Sequence, residues 1–370
     1  MRKLLHDLKN NIYQKMIRLK ITNLKEYLKS RNSYFWVQLG PSLGYYVLLW
    51  MIFFQIQWYI PNSWDPTPKI FTPPTPVPYG NVSKMKSLKD GITFVTAYFD
   101  LGSFQKGKFK TFGKHTYVNW MTAYSKFNNS VILFTDSSDI EELFYHNRKH
   151  FPSDMTRIVR MEQDELWAFK LAPQIKQIYS QPGYPRYHPN TVNERYPCAM
   201  HVKYEALEMV INKKWFNTKH LAWIDVGYFR YTETKFFTLE TPPDFKKDHI
   251  AFMQISKFYD GMSAKQIIEN NMVWIAGGMF LGQPDYLLTF IADYKYAVES
   301  LIAQKLMSTD QQVLYIMYSK ESNLRARVPL QFYYHNCRCD WFFLGNICRY
   351  IWDMKHWPRP SVNYFLALAM

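Results

Sequence analysis

The most constraining feature of the sequence is a charge-free stretch near its N-terminus. No charged residue occurs between Ser33 and Trp64, and the part from Leu43 to Ile60 is almost continuously apolar. About 20 such residues cross the hydrocarbon core of a bilayer as a helix. Aromatic residues flank the stretch, as they do at membrane–water interfaces. We therefore predict a membrane-spanning signal anchor over residues 34–60, in contact with the lipid bilayer. The alternative is a helix buried in a protein core.

The charge beside this stretch predicts its orientation. Residues 1–33 carry nine Lys or Arg and two Asp or Glu, a net +7, although the whole chain carries +15. The excess of positive charge places this segment in the cytosol and the bulk of the chain in the lumen, as in a single-pass type II protein of the Golgi or ER membrane. A nucleic-acid partner is disfavoured, because its binding domain would concentrate the charge on the folded part.

Four segments follow from this arrangement. Residues 1–33 are a basic cytosolic tail, and residues 34–60 are the anchor. Residues 61–80 hold seven prolines, which favour an extended, stiff stalk. Residues 81–370 remain for one lumenal domain.

Two further features are compatible with a lumenal domain. The sequons that begin at Asn81 and Asn128 would suit a glycoprotein. Four cysteines would face an oxidising compartment, where one or two disulfides are expected: Cys198, Cys337, Cys339 and Cys348.

Within residues 81–370, strand-like runs alternate with helix-like ones, which predicts an α/β domain with a largely parallel sheet. The predicted strands are Ile92–Phe99, Val131–Phe134, Arg157–Met161, Leu221–Val226, Ile250–Ile255 and Val273–Leu281. The predicted helices are Thr116–Phe127, Asp139–Arg148, Asp164–Tyr179, Cys198–Lys213 and Pro284–Lys305.

Acidic and glycine residues recur where the predicted strands end. Asp100, Asp136 and Asp225 each follow an apolar run, and Gly277-Gly278 lie in another. Ligands of such sheets bind at the carboxyl ends of the strands. The sequence holds no GxGxxG or Walker loop and no Gly-x-Ser-x-Gly turn, so dinucleotide-binding, P-loop and hydrolase functions lose support.

Six segments, in order, resemble the HtrL/YibB family over Ile92 to Tyr350: TFVTAYFDLG, VILFTD, HVKYEALEMV, HLAWIDVGY, WIAGGMFLG and STDQQVL. That family resembles nucleotide-sugar glycosyltransferases of the GT-A fold. The resemblance implies a GT-A-like, mostly parallel sheet flanked by helices. It also implies transfer of a sugar from a nucleotide donor, expected to be UDP-linked, to a hydroxyl acceptor on a glycan or glycoprotein.

The resemblance also implies a metal site. GT-A enzymes bind the nucleotide and a divalent ion through an Asp-x-Asp motif, and Asp225-Val-Gly227 matches it only at the first acid. With His335 as a second ligand, Asp225 would hold Mn²⁺ or Mg²⁺. Alternatively, Asp225 is a turn residue and His335 a hydrogen-bonded structural histidine.

The remaining candidates carry over in the same way. Asp310, in a Thr-Asp-Gln segment, would deprotonate the acceptor hydroxyl or position the sugar, or else begin a helix. Lys203 would neutralise the diphosphate, or be a solvated helix lysine. The other predicted donor contacts are Thr96, Ala97 and Tyr98 at the base, Asp136 at the nucleotide, and Gly277 and Gly278 at the sugar. For Tyr98 the alternative is a core position, and for the two glycines it is a strand bulge.

Two other functions stay open, because a fold does not determine an activity. One is a non-catalytic, membrane-tethered GT-A-like binding module. The other is a metal-dependent hydrolase of phosphate or sugar esters.

Overall fold

The structure, a computed structural model, describes residues 91–107, 110–215, 218–230, 235–324, 326–334 and 340–356. The predicted tail, anchor and stalk lie outside these ranges, as does His335. No helix in the described ranges is long and apolar enough to cross a membrane.

A mostly parallel sheet of seven strands forms the centre of the described domain. The strands are β1 Ile92–Tyr98, β4 Ser130–Thr135, β5 Thr156–Arg160, β6 His220–Ile224, β7 Ile250–Gln254, β8 Ile275–Gly282 and β9 Leu330–Tyr333. Their order is β5-β4-β1-β6-β8-β7-β9, and only β8 runs antiparallel to its neighbours. A separate antiparallel hairpin pairs β2 Phe104–Lys106 with β3 Lys110–Phe112.

Helices cover both faces of this sheet, so β1, β4 and β6 are buried along almost their whole length. The helices are α1 Lys114–Met121, α2 Ser138–Arg148, α3 Trp167–Lys170, α4 Ala172–Tyr179, α5 Arg195–Lys213, α6 Ala264–Glu269, α7 Pro284–Ala303, α8 Asp310–Tyr318 and α9 Phe343–His356. Apolar residues of α3 to α8 pack on one face, and those of α1, α2 and α9 on the other.

The strand order determines where a ligand site is expected. Strands β5, β4, β1 and β6 repeat the 3-2-1-4 order of doubly wound nucleotide-binding sheets. In such sheets, the connections leave the first strand in opposite directions, which opens a crevice at the carboxyl ends of the strands. By this rule, the ligand site is expected between β1 and β6.

Two predicted helices differ from the structure. The helix predicted over residues 164–179 is divided into a 3₁₀ turn, α3 and α4, because Leu166 has an extended backbone and Pro173 lies in the first turn of α4. The helix predicted over residues 116–127 is α-helical only to Met121 and continues as a 3₁₀ helix, Thr122–Lys126.

Of the predicted one or two disulfides, the structure contradicts two, which would need all four cysteines. Cys198 and Cys348 are buried free thiols. They lie on opposite faces of the sheet, so they cannot pair with each other. Cys337 and Cys339 lie outside the described ranges.

The sequon at Asn128 is also not supported as a glycan site. Asn128 is only 9% exposed, and its backbone N–H donates to the carbonyl of Phe237 at 2.9 Å. A glycan needs an accessible amide, so this side chain is a poor acceptor in the folded domain. The sequon at Asn81 lies outside the described residues.

Candidate functional site

Asp225 directly follows β6, at the crevice that the strand order predicts. Its backbone N–H donates to the carbonyl of Gly278 at 2.8 Å, which ties it to the antiparallel neighbour β8. The indole Nε1 of Trp223 donates to its Oδ1 at 2.8 Å. The side chain is 36% exposed, so Asp225 is held at one oxygen and open to solvent.

Lys203 reaches the same place from α5. Its side chain is 2% exposed, and its Nζ lies 3.1 Å from Asp225 Oδ1 and 3.0 Å from Asp310 Oδ2. Nζ also donates to the carbonyl of Gly277 at 2.8 Å. Burial alone lowers the pKa of this ammonium, but the two carboxylates outweigh that effect and raise its pKa. Lys203 is therefore a fixed positive charge.

Asp310 completes the cluster as the first residue of α8, with its side chain 2% exposed. Burial, with Asp225 nearby, raises its pKa, while Lys203 opposes the shift. The preceding Thr309 does not cap the helix; its hydroxyl donates to Gln312 Oε1 at 2.7 Å. A buried carboxylate paired with an ammonium is shielded from an acceptor hydroxyl. The burial of Asp310 speaks against the predicted role of base, and its place as the first residue of α8 agrees with the alternative that it begins a helix.

The two glycines of β8 differ in what they allow. A Cβ on Gly277 would lie 2.4 Å from Asp310 Oδ2 and 3.4 Å from Lys203 Nζ, so only glycine lets the carboxylate lie against the strand. A Cβ on Gly278 would make ordinary contacts, the nearest at 3.5 Å. The pairing register of β8 with β7 shifts between Ala276 and Phe280, so both glycines also lie in a strand bulge, as the alternative predicted.

Two basic residues that the sequence analysis missed lie near this cluster. Arg230 donates from Nε to the carbonyl of Gly227 at 3.0 Å, and its guanidinium lies 4.5 Å from the ring centre of Trp120. Lys106, on the hairpin β2–β3, is close enough for the charges of Asp225 and Arg230 to act on its ammonium. No motif marks either residue. Their signal is a basic side chain among aromatic residues.

Asp136 belongs to a second polar group at the ends of β1 and β4. Its Oδ1 accepts from the backbone N–H of Asp100 at 3.0 Å, and its Oδ2 accepts from the amide of Gln163. The amide oxygen of Gln163 in turn accepts from Arg195. This group borders an open cleft of about 820 Å³, lined by Asp136, Gln163, Phe169, Pro173, Lys176 and Arg195 among others. Asp225, Lys203 and Asp310 do not line it.

The three residues predicted to contact the nucleotide base occupy different positions. Thr96 is fully buried and Tyr98 is 6% exposed, with its ring 5.5 Å from that of Tyr117. Burial raises the pKa of Tyr98. Both side chains are buried, which for Tyr98 is the alternative given above. Ala97 is half-buried on the opposite face of β1, and its contact with the base stays a prediction.

The described side chains do not fit a divalent ion well. They contain no group of three or more His, Cys, Asp or Glu that could hold one. Oδ1 of Asp225 already accepts from Trp223 and lies 3.1 Å from Lys203 Nζ, so an ammonium lies between the two carboxylates. His335, the other predicted ligand, lies outside the described ranges, so its role stays a prediction.

Residues 90–349, more than half of the chain, match the family described as "Bacterial protein of unknown function (HtrL_YibB)". The chain belongs to the HtrL/YibB family. This confirms the family predicted from the sequence, and the matched region contains all seven strands and the cluster of Lys203, Asp225 and Asp310. A search of curated proteins found no match.

Proposed function

We propose that this HtrL/YibB protein is a glycosyltransferase that moves a sugar from a UDP-linked donor to a hydroxyl of a glycan or glycoprotein. One observation carries the proposal: Lys203, Asp225 and Asp310 meet beside the crevice expected between β1 and β6. Sheets with this strand order bind nucleotides at that crevice. The resemblance to GT-A enzymes supports the same function, because such enzymes place an aspartate after a strand at the nucleotide.

The reaction makes specific demands on the site. The acceptor oxygen bonds to the anomeric carbon of the sugar, the bond from that carbon to the phosphate oxygen breaks, and the acceptor proton passes to a base. The nucleoside diphosphate leaves with the bonding electrons. Fixed positive charge near the leaving group stabilises it. Lys203 supplies such charge, and Asp225 is the exposed carboxylate that a sugar or ribose hydroxyl can reach.

A second candidate is the non-catalytic binding module. The specific observation in its favour is that Asp310 is buried and paired with Lys203. If no other base serves the acceptor, the domain would bind a nucleotide sugar without turning it over. The two candidates share a ligand and differ in whether a product forms.

Turnover of the full-length protein in detergent distinguishes the candidates. We would incubate it with a panel of UDP-sugars and mixed glycan acceptors, and measure both released UDP and sugar-extended acceptor. We expect Asp225→Asn to lower the rate by about 10²-fold or more, because a charged contact to the substrate is lost. The matched control is Asp285→Asn, an exposed aspartate in the first turn of α7.

Donor binding without any product would favour the binding module. Equal rates for Asp225→Asn and the wild type would contradict the assignment of this site.

We further propose that the enzyme is a type II membrane protein of the Golgi or ER, with its domain in the lumen. The basic tail and the charge-free stretch support this location. A lumenal domain would also meet the nucleotide sugars and glycoproteins that the proposed reaction needs.

A further inference from the structure

The buried lysine of the cluster has a consequence for how an anionic donor is bound. We propose that the diphosphate of the donor is bound by side-chain cations of this protein and needs no divalent ion. Lys203 would occupy the position between Asp225 and Asp310 that a divalent ion would otherwise take, and Arg230 would contact the phosphate oxygens. This inference rests on the proposed transferase function.

The position of Lys203 is the first step of the argument. Its Nζ donates to the carbonyl of Gly277 at 2.8 Å. It also forms ion pairs with two carboxylates, 3.1 Å from Asp225 Oδ1 and 3.0 Å from Asp310 Oδ2. Moving this side chain away would leave a carboxylate uncompensated in a buried site, which is strongly unfavourable. The ammonium is therefore a permanent part of the site.

The second step concerns the carboxylates. A divalent ion would have to bind Asp225 beside this ammonium, and two cations in contact with one carboxylate repel each other. Oδ1 of Asp225 also accepts from the indole of Trp223. The carboxylate oxygens of Asp225 and Asp310 are thus already positioned around the lysine. Gly227 stands where an Asp-x-Asp motif has its second acid, so that ligand is missing as well.

Arg230 provides the third step. Its guanidinium lies 4.5 Å from the ring centre of Trp120 and 5.0 Å from that of Phe342. Gly227 permits this packing, because a Cβ there would lie 2.3 Å from the Trp120 ring. In the part of the chain that the structure describes, only Nε of Arg230 has a hydrogen-bond partner. The terminal nitrogens can bind two phosphate oxygens at once.

The charge balance of the site agrees with an anionic ligand. Lys106, Lys203 and Arg230 are basic and Asp225 and Asp310 are acidic, a formal balance of +1. Burial lowers the pKa of Lys106, and an anionic ligand beside it would oppose that effect. Lys106 lies on the hairpin, with its Nζ 5.7 Å from the ring centre of Phe112. A diphosphate would thus find a positive site before any metal is added.

The test is calorimetric binding of UDP to the full-length protein in detergent, with excess EDTA or with Mn²⁺. We expect affinities that agree within about twofold. Binding that requires Mn²⁺ would overturn the inference and leave the transferase proposal standing. No binding of UDP under either condition would overturn both.

Variants show which cations are responsible. We expect Arg230→Gln to weaken UDP binding in EDTA by about tenfold or more, with uridine binding unchanged. The matched control is Arg157→Gln. Arg157 also stacks on a tryptophan, Trp215, but Arg157 lies on the edge strand β5, away from the cluster. Unchanged UDP binding by Arg230→Gln would contradict the inference.

Lys203→Met gives a stricter test. Without the ammonium, the two carboxylates become available to a cation, so UDP binding should be lost in EDTA and restored by Mn²⁺. Equal UDP binding in EDTA by this variant and the wild type would count against the inference. If the variant fails to fold, the measurements on the wild type and on Arg230→Gln still test whether side-chain cations bind the diphosphate.

Discussion

Single atoms determine how the candidate site is built. Lys203 Nζ donates to the carbonyl of Gly277 and lies within 3.1 Å of two carboxylates. Asp310 Oδ2 lies so close to Gly277 that no side chain fits there. The buried Asp310 carboxylate is compensated by the ammonium of Lys203 at 3.0 Å, although its Oδ2 accepts no hydrogen bond from the described residues. Small changes at these atoms should therefore have large effects.

We expect Gly277→Ala to lower both the free energy of unfolding and UDP binding. The new Cβ would lie 2.4 Å from Asp310 Oδ2, so the carboxylate must move away from Lys203. Overpacking of this kind costs about 1–3 kcal/mol. Chemical unfolding and calorimetry of the same preparation measure both effects.

The control is Gly261→Ala, because a Cβ on this exposed glycine would have no heavy atom within 4 Å. We expect its stability to stay within about 0.5 kcal/mol of the wild type. Equal behaviour of the two variants would contradict the tight packing at Gly277.

His201 makes the stability depend on pH. Burial, with a smaller effect from Lys203, lowers the pKa of this histidine to about 3, whereas an unfolded histidine titrates near about 6.5. Between these values the unfolded chain binds the extra proton, so stability falls as pH falls. At pH 5 the loss from this residue is about 2 kcal/mol.

Chemical unfolding at pH 7 and pH 5 tests this. We expect His201→Gln to lose about 2 kcal/mol less than the wild type over this range. Exposed His146→Gln should follow the wild type. A wild-type pH dependence retained in His201→Gln would show that this histidine does take up a proton in the folded protein.

At the scale of elements, α5 connects the site to its surroundings. Lys203 points into the cluster, while the carboxylate of Glu205 accepts from the backbone N–H groups of Trp167 and Ala168 at 2.8 and 3.1 Å. These groups lie at the start of α3 and would otherwise lack partners in the helix. One helix thus supplies the site lysine and holds the neighbouring helix.

A buried arginine performs the equivalent task on the other face of the sheet. Arg148, at the end of α2, donates to the carbonyls of Tyr124, Phe127, Asn129 and Met155 and to the hydroxyl of Thr156. It therefore joins α2 to the loop before β4 and to the start of β5.

We expect Arg148→Met to lower the free energy of unfolding by about 3 kcal/mol or more, because several buried carbonyls lose their donors. Chemical unfolding measures this loss of stability. The control is Lys149→Ala, a substitution of the exposed neighbouring residue. If both variants were equally stable, the network around Arg148 would contribute little.

At the scale of the whole molecule, the uneven charge of the sequence leads to a prediction about location. We expect a chain without residues 1–60 to leave the membrane fraction, because the apolar stretch is gone. A chain that lacks only residues 1–33 should still sediment with membranes. Fractionation of cells after an alkaline wash measures both. A truncated chain that stays in the membrane would contradict the anchor.

Much of the sheet could be predicted from the sequence, because a strand buried on both faces is a continuous apolar run. Ile92–Phe99 and Leu221–Val226 differ from β1 and β6 by one or two residues at their ends. The hairpin β2–β3 has strands of three mostly exposed residues, so it left no such signal. Short strands of this kind form only where the rest of the domain holds them.

Some residues of the candidate site could likewise be predicted from the sequence, and others could not. The sequence marked Lys203, Asp225, Gly277 and Asp310 one by one, since an acid after an apolar run and a glycine pair inside one are local patterns. That Lys203 lies in register with Ala206, Leu207 and Val210, on the buried stripe of α5, was a further local sign that it is no solvated lysine. Arg230 and Lys106 had no comparable sign.

The sequence by itself therefore determined the family, the α/β class and the residues from which a site could be built. Only the tertiary structure decided that an ammonium lies between Asp225 and Asp310, that Asp310 is closed to solvent, and that Tyr98 is a core residue. The physical reason is that burial and charge pairing depend on contacts between α5, β6, β8 and α8. Those elements are far apart in the chain, and their contacts exist only once the sheet and its helices have packed.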